Sequence, residues 1–251
     1  MGDVHEALKN LVERLHEAAR DNLESIILYG SAARGDFHHA HSDLNVLCIL
    51  RSLRAPELAR VSTAVKWWTT AQRQPAPLFF GAEELRQAAD VFAIELLDMQ
   101  QNHRVLYGSD TIAGITVPMN LHRLQVDHEL RTVLLKLRQH FLRDAANQQE
   151  LGAVLAKSFS SALTLLRHAL IAFQEQPPSA PGEIFARVAA LTGASASAFE
   201  AVQRLRETKS LDRDAVLPVY DGYLAALEKV IAALDHLLPK RQWQRAAKNS
   251  S

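Results

Sequence analysis

The residues best suited to chemistry lie in one stretch, residues 28–50, with the sequence LYGSAARGDFHHAHSDLNVLCIL. Gly30 ends an apolar run, and a glycine there lets the backbone turn sharply and approach a ligand closely. Ser31 follows with a hydroxyl and a backbone amide at the expected start of a short helix. Free amides and the helix dipole favour an anion there, so the sequence predicts a phosphate site.

A second group of polar residues begins the next apolar run, where Asp43 and Asn45 alternate with Leu44 and Val46. Side chains at positions i and i+2 of a strand lie on the same face of the sheet. We therefore expect Asp43 and Asn45 to point together toward whatever Ser31 holds, while Leu44 and Val46 face the core.

These residues, quoted as YGS…SDLNV, resemble the signature of the DNA polymerase β-like nucleotidyltransferase superfamily. That signature is an apolar residue, Gly, then Gly or Ser, a loop, and Asp, apolar, Asp or Glu, apolar. The sequence is most similar to the small bacterial branch that includes minimal nucleotidyltransferases and aminoglycoside adenylyltransferases. A later segment, FAIELLDMQQNHRVLYGSD, is similar to uncharacterised members of that branch, so the resemblance spans roughly residues 20–110.

The resemblance implies transfer of a nucleoside monophosphate from a nucleoside triphosphate, such as ATP, to a hydroxyl on a small molecule or protein, with release of pyrophosphate. In the family, two Mg²⁺ ions clamp the attacking and leaving oxygens. By the same resemblance, Asp43 and Asn45 are the expected ligands of Mg²⁺ or Mn²⁺. The expected nucleotide-binding residues are Gly30, Ser31, Arg34 and Ser42.

The sequence departs from the family at Asn45, which takes the position of the second carboxylate. Hard cations prefer charged oxygen ligands, so we expect weaker metal binding and reduced activity. The family's third carboxylate is expected near residues 76–80, where this chain has no acid. Glu95, with Asp98 three residues on, is the nearest candidate in a segment expected to be extended; a salt-bridge role for Glu95 is the alternative. The predicted catalytic residues are thus Asp43, Asn45 and Glu95.

Other interpretations stay open at this point. A catalytically inactive nucleotide-binding or partner-binding regulatory protein, such as an antitoxin-like adaptor, explains Asn45 equally well. An unrelated α/β domain with a glycine turn and a capping aspartate would explain the whole pattern. Arg123 and His128 match the R-x4-H pair of HEPN-type ribonucleases, although a solvated helix face also accounts for both. His38, His39 and His41 form a cluster that could bind a transition metal or could simply be loop residues.

The elements that must position these residues divide into two kinds. Up to residue 115, apolar runs alternate with helical periodicity, which predicts an α/β (α+β) domain with a small mixed sheet. Residues 116–251 carry only helical spacing and predict an all-α bundle of four to six helices. Expected strands are 25–30, 43–50, 74–80 and 91–96, and expected helices of the first domain are 3–20, 55–73, 82–90 and 96–104.

The composition bounds the remaining possibilities. The 251 residues include 28 basic and 28 acidic side chains, so the sequence lacks the basic excess typical of proteins that wrap duplex nucleic acid. A single cysteine, Cys48, excludes an intrachain disulfide and a cysteine-based zinc site. Without a signal-peptide core or a membrane-spanning apolar run, we expect a cytoplasmic protein. Its expected partners are the nucleoside triphosphate and an unidentified hydroxyl acceptor, and a homodimer is left open.

Overall fold

The computed structural model describes residues 2–34, 43–208 and 216–237. The chain divides into two compact units, Met1–Leu121 and His122–Ser251. The helices and strands up to Gly108 are α1 (Gly2–Ala19), β1 (Leu23–Tyr29), β2 (Asn45–Leu50), α2 (Ala55–Thr70), β3 (Leu78–Phe80), α3 (Ala82–Gln87), α4 (Ala93–Gln101) and β4 (His103–Gly108). The described part of the chain after Gly108 contains five helices: α5 (Met119–Asp144), α6 (Gln148–Ala172), α7 (Pro181–Thr192), α8 (Ala196–Thr208) and α9 (Val216–His236).

The four strands form one mixed sheet in the order β3-β2-β1-β4. Strand β1 pairs antiparallel with both β2 and β4, and β2 pairs parallel with β3. This sheet, with helices around it and an all-helical part following it, confirms the predicted fold class.

Alternation along β1 and β2 divides the core of the first unit between two faces of the sheet. Leu28, Val46 and Cys48 pack with α1 and α2 in one cluster, and Ile27 and Leu47 pack with α3 and α4 in the other. Cys48 is a buried free thiol whose pKa is raised by burial, as expected for a core residue. The two-sided burial explains why these strands read as nearly continuous apolar runs.

Residues 91–96 were expected to form a strand, and this prediction is wrong. Helix α4 begins at Ala93, and its buried residues Ala93, Leu96 and Met99 recur at helical spacing against the sheet. The strand comes later, as β4. A short apolar run fits either period, and here packing onto the sheet decides for the helix.

The second unit is held by an aromatic core. The rings of Phe159 and Phe185, Phe185 and Phe199, and Phe199 and Tyr223 lie 6.2, 5.6 and 6.0 Å apart between centroids. Buried polar contacts add to it: the Tyr220 hydroxyl donates to the Leu137 carbonyl at 2.7 Å. Within the residues that the structure describes, every helix is too short or too polar to span a bilayer.

Candidate functional site

The turn that follows β1 is built on Gly30. Its φ of +82° lies in the left-handed region, which favours glycine over residues with a β-carbon. The Gly30 amide donates to the Asn102 carbonyl at 2.9 Å, and the Ala33 amide donates to the Gly30 carbonyl at 3.1 Å. One turn of 3₁₀-helix, Ser31–Arg34, follows directly. The predicted sharp turn into a short helix is therefore present.

The start of β2 lies beside this turn. Asn45 is the first residue of β2 and pairs with Tyr29, the last residue of β1. The Asn45 Nδ2 atom lies 3.4 Å from the position that a β-carbon on residue 30 would occupy. The Asn45 amide therefore lies beside the turn, at ordinary contact distance from where a β-carbon of residue 30 would be.

Asp43 precedes the strand and is exposed, and Leu44 between Asp43 and Asn45 is buried. Val46 is also buried, in the cluster on the α1 and α2 face, whereas Asn45 is half-buried. Leu44 and Val46 therefore face the core, as the alternation predicted.

Neither strand position next to Asn45 offers an acid. One neighbour is Tyr29. On the other side, the parallel β2–β3 pairing begins at Leu47 opposite Leu78, and β3 carries no acid. Glu95 is exposed on α4 rather than on a strand. Among residues 2–34, 43–208 and 216–237, no three His, Cys, Asp or Glu side chains are grouped to hold a metal ion.

Several predicted site residues, or their side chains, lie outside the part of the chain that the structure describes. The structure gives the backbone of Ser31 and Arg34 but not their side chains. Ser42 and the histidines at 38, 39 and 41 lie outside the described residues. The roles predicted for these side chains remain predictions.

Sequence reasoning missed the pair of His103 and Asp110, of which His103 lies in the same row of the sheet as Asn45. Tyr29 pairs with Asn45 on one side and with His103 of β4 on the other. The His103 ring lies 3.0 Å (Nδ1) from the Met99 carbonyl and 2.8 Å (Nε2) from the Asp110 carboxylate. Both partners accept hydrogen bonds, so this arrangement favours the doubly protonated imidazolium form of the ring.

The electrostatics of this pair agree with that protonation state. Burial disfavours the charged ring, but the hydrogen bond and charge of Asp110 outweigh it and raise the pKa of His103. Burial likewise opposes the Asp110 carboxylate, yet hydrogen bonds from His103, Ala113 and Ile112 lower its pKa. The only sequence signal was the presence of a histidine and an aspartate seven residues apart; the β4 strand and the following turn bring them together.

Arg123 and His128, the two residues that match the ribonuclease pattern, differ in burial. Arg123 was expected on a solvated face, which is wrong: it is buried, and its Nη1 donates to the Leu234 carbonyl at 2.9 Å. His128 is exposed, as expected. Arg123 binds a carbonyl in the last turn of α9, where a cation is favourable.

Known proteins are similar to this chain in structure but do not match it in sequence. No family model matches the chain. No curated protein matches it either. Among solved structures, the chain is similar to the spectinomycin adenyltransferase AAD(9) from Enterococcus faecialis, determined with ATP and spectinomycin. The TM-score is 0.47 at 14% identity, over 93% of this chain and 97% of that one.

Proposed function

We propose that this protein is a nucleotidyltransferase that transfers a nucleoside monophosphate from a nucleoside triphosphate to a hydroxyl on a small molecule or protein. One observation carries the proposal: the Gly30 turn and the start of β2 lie side by side, with Asn45 Nδ2 3.4 Å from the position of a residue-30 β-carbon. In the proposed complex the triphosphate binds at the Gly30–Ser31 turn, with Arg34 and Ser42 as further contacts. Asp43 faces the same ligand from the start of β2.

The donor set fits one Mg²⁺ or Mn²⁺ ion carried on the nucleotide. Mg²⁺ in nucleotide sites is commonly held by one or two carboxylates together with substrate phosphates, and it keeps several waters. Asp43, which is exposed, supplies the carboxylate, and the Asn45 amide oxygen is a neutral second ligand. When bound, the ion neutralises phosphate charge and so makes pyrophosphate a better leaving group.

A second metal ion is poorly provided for. Asn45 pairs with Tyr29, and β3 on the other side of β2 carries no acid. Glu95 on α4 stays the proposed third acid. Without a full carboxylate set, activation of the attacking hydroxyl is weak, and we expect slow turnover.

Pyrophosphate release and label transfer test the proposal. The purified protein is incubated with each of ATP, GTP, CTP and UTP, with Mg²⁺ or Mn²⁺ and a panel of hydroxyl acceptors. We expect turnover that Asp43→Ala abolishes and that Asn45→Asp increases about ten-fold or more, because the second carboxylate restores metal affinity.

A matched control is Asp21→Ala. Asp21 is an exposed aspartate next to the opposite end of β1, and we expect its loss to leave turnover unchanged. Turnover that survives in Asp43→Ala at the wild-type rate would contradict the assignment, as would the absence of turnover in both the wild type and Asn45→Asp.

A specific observation also favours a second function, a nucleotide-binding regulatory protein without catalysis. The Asn45 amide nitrogen beside Gly30 can donate a hydrogen bond to a bound phosphate, which a carboxylate at that position could not do. Calorimetry separates the two functions. Nucleotide binding without turnover in either the wild type or Asn45→Asp would support the regulatory role.

A further inference from the structure

Asp43 precedes β2, but a hydrogen bond holds the peptide group that follows it. The β1–β2 pairing begins at Asn45, so Asp43 and Leu44 lie before the paired part of β2 in the described residues. Instead, the Leu44 amide donates to the side-chain Oε1 of Gln74 at 2.8 Å. This amide belongs to the peptide plane that joins Asp43 to Leu44. The Gln74 side chain therefore limits the rotation that would swing the Asp43 carboxylate away.

Gln74 is itself held by the segment around it. Its own amide donates to the Trp68 carbonyl at 3.4 Å, and its Nε2 donates to the Gln72 carbonyl at 3.4 Å. The fully buried Trp68 donates from Nε1 to the Pro75 carbonyl at 2.9 Å, which ties the next residue to the core. Arg73, which directly precedes Gln74, has a φ of +53°, in the left-handed region. A non-glycine residue in that region persists when its surroundings enforce it.

We propose that Gln74 is a positioning residue for Asp43, acting through the Leu44 amide. This rests on the proposed function, in which Asp43 is the carboxylate that meets the metal on the nucleotide. Residues that orient a metal ligand without touching the metal affect affinity by about ten-fold or more. Gln74 takes that role here because Asn45 is neutral, and the correct placement of one carboxylate then decides how well the ion is held.

The other end of β2 supplies a matched control. The Asn22 side chain donates from Nδ2 to the Ser52 carbonyl at 3.0 Å and accepts from the Ser52 amide at 2.9 Å. Like Gln74, Asn22 holds the backbone beside β2 through side-chain hydrogen bonds, but these lie near Leu50 rather than near Asp43. Its removal destabilises the sheet without touching the proposed site.

The experiment is a Mg²⁺ titration of nucleotide binding by calorimetry, with each of the four nucleoside triphosphates as probe. The proteins are the full-length wild type, Gln74→Leu, Gln74→Glu and Asn22→Leu, each checked for its free energy of unfolding. We expect Gln74→Leu to raise the half-maximal Mg²⁺ concentration about ten-fold. Gln74→Glu retains an acceptor for the Leu44 amide but loses the donor to the Gln72 carbonyl, so its Mg²⁺ requirement should stay well below that of Gln74→Leu. Asn22→Leu should lose stability with an unchanged Mg²⁺ requirement.

The outcomes separate this role from the proposed function. A folded Gln74→Leu protein with the wild-type Mg²⁺ requirement overturns the positioning role alone. An equal shift in Asn22→Leu also overturns it, because the effect would then follow general loss of stability. Absence of nucleotide binding by the wild type at every Mg²⁺ concentration overturns the proposed function and this role with it.

Discussion

The Asn45 amide nitrogen lies 3.4 Å from the position that a β-carbon on Gly30 would occupy, so the start of β2 covers the turn that ends β1. This contact joins two residues fifteen positions apart in the chain. Position 30 is restrictive because of its backbone conformation, since the φ of +82° disfavours any side chain.

We expect Gly30→Ala to lower the free energy of unfolding by about 1–2 kcal/mol through left-handed backbone strain. At 3.4 Å, the added β-carbon makes only an ordinary contact with the Asn45 amide. Urea denaturation measures the change. Gly193→Ala is the control, because Gly193 has a φ of +70° and no neighbouring atom where its β-carbon would lie. We therefore expect similar losses in the two variants, and a much larger loss in Gly30→Ala would contradict strain as the cause.

Gly108→Ala should be far more damaging. Gly108 pairs with Ser25 at the β1–β4 junction, has a φ of +75°, and a β-carbon there would collide with the carbonyl oxygen of Glu24. Backbone cannot yield as a flexible side chain can, so we expect a loss of about 3 kcal/mol or more. Circular dichroism during thermal unfolding checks this, and stability equal to that of Gly114→Ala would contradict it.

The His103–Asp110 pair should make stability depend on pH in a defined window. The raised pKa of His103 means that its contribution is complete below the unfolded-state pKa, about 6.5, and is lost as the pH rises through the folded value. The lowered pKa of Asp110 means that its contribution is present above about 3.9 and is lost as the pH falls through the folded value.

We therefore expect His103→Gln to cost most stability near pH 5, and to cost progressively less as the pH rises through the raised pKa of His103, where the wild-type ring loses its proton. Because Asp110 is 37% exposed, solvent screening keeps the effect near or below about 1 kcal/mol. Urea unfolding of both proteins from pH 4 to pH 9 measures it, and a difference that is constant with pH would refute the imidazolium assignment.

Arg123→Met should destabilise the helical unit by about 1.5–3 kcal/mol, because it removes a buried charged hydrogen bond to the Leu234 carbonyl, which then keeps only the bond from the Leu237 amide. Arg204→Met, at an exposed residue of α8 with a 3.8 Å ion pair, should change stability by no more than about 0.5 kcal/mol. His128→Ala should be equally mild. Cleavage of RNA by the wild type that His128→Ala abolishes would contradict this structural role for Arg123.

The sequence by itself determined the elements whose residues carry strong local preferences. The glycine at 30, the alternation of polar and apolar residues from 43 to 46, and the apolar runs of β1 and β2 depend on near-neighbour sterics and burial, which a sequence records directly. The helical repeats after residue 118 belong to the same class. The replacement of a carboxylate by Asn45 is likewise plain from the sequence.

Only the tertiary structure decided which distant groups meet. Residues 91–96 fit either a strand or a helix, and packing against the sheet chose the helix, which moved Glu95 off the strand. Arg123 reads as a surface residue until the end of α9 supplies a carbonyl 111 positions away. The contacts of Leu44 with Gln74 and of His103 with Asp110 depend on how segments are brought together by the β2–β3 pairing and by the turn after β4. Such contacts arise from the balance of burial and hydrogen bonding across the whole core, and no local pattern encodes them.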